Sequence, residues 1–290
     1  MFKGSMVALV TPFKDGRLDE QALSYLVEWH ISQGTDVLVP CGTTGESATL
    51  SHEEHDRVIE LVTQQARRRV KVLAGTGSNS TSEAIRMTQH AESVGADGAL
   101  LITPYYNKPP QEGLFLHYQA VAEAVHFPIV LYNVPGRTAV NMLPETVARC
   151  AQLPNVVGIK EACGNLEQIK EVALLAGSEF DILSGEDAQN FDILQLGGVG
   201  MISVTANVVP GKLARMWDLF AAGKKTAAQK IHEELLPLHD AMFYETNPIP
   251  VKTALSLMGK CTDEMRLPLC PMGTENKKRL EKIMRQMGLL

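Results

Sequence analysis

Short apolar runs recur along the chain at residues 6–10, 37–39, 70–74, 98–102, 129–132, 156–159, 180–183 and 200–204, and successive runs begin 20 to 33 residues apart. Each is rich in Val, Ile or Leu without polar alternation, as expected of parallel strands covered on both faces. The spacing leaves room for one crossover helix and two loops each time, which parallel connectivity requires. Helical patterns fall between the runs. Leu23, Leu26, Val27 and Ile31 share one face, as do Val58, Leu61 and Val62. Ser51 followed by Glu54 reads as a capping box at a helix start. Eight such units predict an α/β fold, a closed (β/α)8 TIM barrel. A doubly wound open sheet is the alternative, but it usually carries a glycine fingerprint, and Gly75-Thr-Gly77 lacks the third glycine.

Beyond residue 223 the β-type runs stop, and Leu280, Ile283, Met284 and Met287 recur at helical spacing before Gly288. A barrel needs ~250 residues or fewer. The expected division is therefore a catalytic barrel over 1–223 and a helical C-terminal region over 224–290. The uncharged stretch 193–211 approaches the ~20 residues of a membrane span, but Gln195, Asn207, Pro210 and several glycines interrupt it. It reads as a helix end, a buried strand and a loop, and no membrane association is expected. No signal peptide is read at the N-terminus. Five cysteines without a C-x-x-C pair suit reduced thiols in a cytoplasmic protein. With 27 basic against 33 acidic residues, the formal charge of −6 provides no field for nucleic acid, so small-molecule chemistry is the better expectation.

In a barrel of this kind the chemistry sits in loops after the strand ends. Those positions are polar here: Cys41-Gly-Thr-Thr-Gly-Glu46, Gly75-Thr-Gly-Ser-Asn79, Thr103-Pro-Tyr-Tyr-Asn-Lys-Pro109, Tyr132-Asn-Val-Pro-Gly-Arg137, Lys160-Glu161 and Ser184-Gly-Glu-Asp187. Lys160 ends a buried run. An amine held out of water gives up its proton more readily and can then attack a ketone to form an imine. The alternative is a lysine ion-paired to Glu161 or Glu186. Tyr132 at the preceding strand end favours the imine, since a phenol there could move protons with help from Thr43 or Thr44. The turn 42–45 offers backbone N–H donors for a small anion. Arg137 offers a bidentate contact to a carboxylate. His52 and His55 lack H-E-x-x-H spacing, and no metal ligand set is visible.

Taken in order, Gly42-Thr-Thr-Gly-Glu46, Thr103-Pro-Tyr-Tyr-Asn-Lys-Pro109, Leu131-Tyr-Asn-Val-Pro-Gly-Arg-Thr138, Gly158-Ile-Lys-Glu161 and Leu183-Ser-Gly-Glu-Asp187 make the chain resemble the dihydrodipicolinate synthase family of class I pyruvate-dependent aldolases. The resemblance spans nearly the whole chain. It implies condensation of pyruvate with L-aspartate 4-semialdehyde in lysine and diaminopimelate biosynthesis, without a cofactor. On this resemblance Lys160 forms the pyruvate imine, while Tyr132, Thr43 and Tyr106 match the proton relay, Tyr106 reaching in from a neighbouring subunit. Arg137 matches the residue that receives the semialdehyde carboxylate, and Thr44, Gly185 and Ile202 match positions around pyruvate. A homotetramer built from two dimers is implied. Ser47, Ala48, His52, His55, Asn79, Glu83 and Tyr105 match positions that hold L-lysine as an effector in feedback-inhibited members.

Sibling barrels, N-acetylneuraminate lyase and sugar-acid aldolases, share the turn and the lysine. Arg137 argues against them, because a polyhydroxylated acceptor calls for neutral hydrogen-bonding groups. A non-catalytic barrel that binds a small acid and a pyridoxal phosphate enzyme are further readings; stoichiometric pyruvate binding without turnover and visible absorbance, respectively, would mark them.

Overall fold

The computed structural model describes all 290 residues. Eight parallel strands, β1 (Gly4–Ala8), β2 (Val37–Val39), β3 (Lys71–Gly75), β4 (Gly98–Ile102), β5 (Ile129–Asn133), β6 (Val156–Glu161), β7 (Asp181–Ser184) and β8 (Gly200–Ser203), close into a barrel. Closure is made by β1, which pairs with β8 through Gly4 and Gly200 and with β2 through Met6 and Val37. The strands are mostly apolar because both faces are buried, the polar exceptions falling mainly at their ends. Val37 and Val39 enter the inner core while Leu38 faces the helices; Leu100 points in while Ala99 and Leu101 point out.

The first strand begins two residues earlier than the apolar run. Leu9 and Val10 stay buried, and Leu9 N still donates to the Val39 carbonyl at 3.0 Å, but the Val10 N–H is taken by Asn207 Oδ1 at 3.2 Å, so the chain leaves the sheet ladder at Val10.

Helices α1 (Glu20–Ser32), α2 (His52–Ala66), α3 (Thr81–Ser93), α4 (Gln111–Glu123), the single turn α5 (Pro135–Thr138), α6 (Pro144–Cys150), α7 (Leu166–Ala176), α8 (Asn190–Gln195) and α9 (Pro210–Ala221) follow their strands. The capping box is present: Ser51 Oγ accepts from Glu54 N at 3.2 Å, and Glu54 Oε2 accepts from Ser51 N at 3.0 Å. Three further helices, α10 (Lys225–Ala241), α11 (Ile249–Leu257) and α12 (Thr274–Gln286), complete the chain. Their buried Leu235, Leu238, Val251, Leu255, Leu280 and Met284 join the same core as the outer face of the barrel. The stretch 193–211 is the end of α8, strand β8, a 3-10 turn and the start of α9. No helix is long and apolar enough to cross a membrane.

Candidate active site

Residues 156–161, Val-Val-Gly-Ile-Lys-Glu, decide where the lysine points. Ile129 lies opposite Val156, but the next residue, Val130, lies opposite Gly158, so Val157 is an extra residue on β6. Regular alternation would place Lys160 on the same face as Val156, which packs in the outer core. The bulge reverses the parity. Ile159 now faces the helices, and Lys160 faces the barrel mouth, buried and opposite Tyr132 in the ladder. Lys160 Nζ lies 4.2 Å from the centroid of the Tyr132 ring.

No carboxylate lies within 4.0 Å of Lys160 Nζ. Glu161 turns outward, and its two oxygens accept from Asn133 Nδ2 at 3.2 and 3.3 Å. Burial pushes its carboxyl up to about 7, with hydrogen bonds from Cys163 and Asn133 acting the other way. Glu186 lines the same cavity as Lys160. Its carboxyl is raised by burial and by the neighbouring Asp187 charge, while Lys160 acts to lower it.

A cavity of about 740 Å³ opens above Lys160, lined among others by Thr43, Thr44, Tyr132, Arg137 and Gly185. Gly185 is required there: a Cβ would sit 2.9 Å from Lys160 Cε and 2.9 Å from the Glu161 carbonyl oxygen. Ile202 is buried in the inner core beneath, beside Tyr132 and Leu183, and does not line the cavity. Arg137 is exposed in the single chain, its Nη2 donating to the Asn247 carbonyl at 3.1 Å. Asp187 braces the wall from behind by accepting from Val204 N and Thr205 N at 2.9 Å each. Burial acts to raise its carboxyl, but the His239 charge and hydrogen bonds from Ser203, Thr205 and Asn190 hold it below the usual range.

A second cavity, about 510 Å³, shares Thr43, Tyr132 and Arg137 with the first and continues past Ser47, Ala48, His52, His55, Glu83 and Tyr105. Asn79 stands behind it, donating to the Tyr105 carbonyl at 3.1 Å. Glu83 accepts from the Ser78 hydroxyl and lies 3.2 Å from His52 Nε2. Burial pushes His55 down to about 4, its Nε2 resting 2.9 Å from the Gly75 carbonyl. Tyr106 joins neither cavity. It is 88% exposed and holds a φ of 73°, a left-handed conformation that is uncommon for a bulky residue. No cluster of three His, Cys, Asp or Glu side chains could hold a metal ion.

Asn247 and Phe243 also line the site, and neither belongs to any strand-end motif. Their positions between α10 and α11 are set by tertiary packing, and no local signal marks them.

A closed parallel barrel with a buried strand-end lysine set against a phenol, at the mouth of a polar cavity, defines the class of imine-forming barrel enzymes. Residues 1–287 match the Dihydrodipicolinate synthetase family, and the chain belongs to it. It is 60% identical over 290 residues, the full length of both chains, to the 4-hydroxy-tetrahydrodipicolinate synthase of Geotalea uraniireducens. Among solved structures, the chloride-inhibited dihydrodipicolinate synthase of Acinetobacter baumannii complexed with pyruvate is 45% identical with a TM-score of 0.98, covering 100% of both chains. The lysine-bound enzyme from Cyanidioschyzon merolae is 40% identical with a TM-score of 0.96, covering 100% of this chain and 99% of that one.

Proposed function

We propose that this protein condenses pyruvate with L-aspartate 4-semialdehyde to give 4-hydroxy-tetrahydrodipicolinate, in lysine and diaminopimelate biosynthesis. The observation that carries this reading is Lys160, buried without an ion-pair partner and 4.2 Å from the Tyr132 ring at the floor of the larger cavity. The amine attacks the ketone carbon of pyruvate and expels water. The resulting imine is an electron sink, so a methyl proton leaves to give an enamine. The enamine carbon attacks the aldehyde, whose oxygen takes up a proton. The amino group of the second substrate then attacks the imine carbon, closing the ring and releasing Lys160.

Tyr132 and Thr43 move the protons, joined by Tyr106 from a neighbouring subunit of a homotetramer built from two dimers. The exposure of Tyr106 supports a role outside its own chain's cavity. Arg137 receives the semialdehyde carboxylate, and Thr44 and Gly185 hold pyruvate, with Ile202 beneath. This route uses no cofactor. Lysine binds in the smaller cavity, whose common wall with the larger one gives it a route to the active site. A biosynthetic role of this kind places the enzyme in the cytoplasm. The sibling aldolases are not favoured, since the full-length relatives carry the synthase name.

Reductive trapping tests the reading. Borohydride with pyruvate should attach one reduced pyruvate to Lys160, located by peptide mass mapping. An adduct elsewhere, or none, refutes the assignment.

A further inference from the structure

Residues 224–290 meet the catalytic end of the barrel at two buried points. Asn247, in the segment between α10 and α11, donates from Nδ2 to Thr44 Oγ1 at 3.0 Å, while its main-chain carbonyl accepts from Arg137 Nη2 at 3.1 Å. A single residue thus joins a hydroxyl on one wall of the cavity to a guanidinium on another. On α11, Lys252 donates to Glu46 Oε1 at 2.6 Å, with both side chains shut off from solvent. The other Glu46 oxygen accepts from Arg266 N at 3.2 Å, and Lys252 also donates to the Glu264 carbonyl at 2.6 Å and lies 4.3 Å from the Phe13 ring centroid.

Glu46 closes the turn 42–46 in a left-handed conformation, φ 54°. A fully buried ion pair is weak evidence for stability, because desolvation offsets much of the attraction. It does join α11 to Glu46 directly, and the turn so anchored carries Thr43 and Thr44.

We propose that Asn247 and Lys252 are positioning residues for the condensation, through which the C-terminal region sets the turn 42–46 and Arg137 at the spacing the two substrate carboxylates need. This rests on the reaction assigned above. Neither residue touches the reacting atoms; they act through Thr44, Glu46 and Arg137. A misplacement of about 1 Å at such a site can cost about 100-fold in rate.

The test compares Asn247→Ala with the double variant Glu46→Gln/Lys252→Met, which leaves neither buried charge alone. Pyruvate-dependent trapping at Lys160 counts competent sites, and turnover with both substrates is divided by that count. At saturating pyruvate we expect trapping to remain near complete while kcat per trapped site falls about tenfold or more, with a raised KM for pyruvate in Asn247→Ala, which removes the bond to Thr44 but keeps the main-chain carbonyl that accepts from Arg137. A merely structural role would lower trapping and turnover in proportion. Unchanged kcat per trapped site in Asn247→Ala overturns the proposal, and that variant decides alone should the double variant not fold. Absence of trapping in the unsubstituted enzyme removes the underlying reaction, a failure distinct from unchanged turnover per site.

Discussion

Lys160 and Tyr132 are ladder partners on adjacent strands, and the lysine Nζ lies 4.2 Å from the centroid of the phenol ring. The pairing is held by backbone hydrogen bonds, so it does not depend on a flexible loop. A Tyr132→Phe variant should keep this packing and lose the proton carrier. Pyruvate adducts should still form on Lys160, but about 100-fold or more slowly, the usual range for loss of a general acid or base. Quenched-flow trapping followed by mass spectrometry measures this, and an unchanged rate would remove Tyr132 from the relay.

Arg137→Ala should separate the two substrates. The guanidinium is exposed in the single chain and is tethered only to the Asn247 carbonyl, so its loss should leave the fold intact. A hydrogen bond to a charged group contributes about 1.5 to 3 kcal/mol, which predicts an aldehyde KM raised by about 10- to 100-fold. Pyruvate trapping should be unaffected. Collapse of pyruvate binding with aldehyde use intact would show that Arg137 serves the other carboxylate.

Glu161 gives the fold a pH dependence. Its carboxyl is raised from 4.5 to about 7 by burial, so between those values the folded state holds a proton that the unfolded chain has released. Stability therefore falls as pH rises through this window and levels off above it. Glu161→Gln retains an acceptor for Asn133 Nδ2 and removes the titration. Its melting temperature should match the parent near pH 5 and exceed it at pH 8. Parallel curves for the two proteins across this range would contradict the assignment.

Tyr106 should act in a neighbouring subunit. Mixing Lys160→Ala with Tyr106→Phe subunits should restore part of the activity, since some interfaces then pair an intact Tyr106 with an intact Lys160. Hybrids verified by native mass spectrometry yet inactive would show that each chain is self-contained.

Lysine should bind in the smaller cavity, and Glu83→Ala should weaken it. Glu83 can pair with an α-ammonium there, in exchange for its present contacts with Ser78 and His52. Titration calorimetry at millimolar lysine reads this directly. Binding alone does not set inhibition, which depends on a difference in affinity between active and inactive states. No heat of binding would leave these residues with a structural role only.

Much of the molecule was written in local sequence. The eight apolar runs, the capping box at Ser51 and the polar strand ends each follow from interactions within a few residues, so the repeated strand and helix units and the polar end that bears the chemistry are legible in the sequence. The direction of Lys160 could not. It depends on one extra residue, Val157, accommodated between two strands, and a one-residue slip sends every later side chain to the opposite face. Asn247 and Lys252 were equally silent, because their partners Thr44 and Glu46 lie 203 and 206 residues away along the chain. Periodicity records which residues must leave water; strand register and long-range hydrogen bonding, which only the closed barrel and its packed C-terminal helices supply, decide which of them meet.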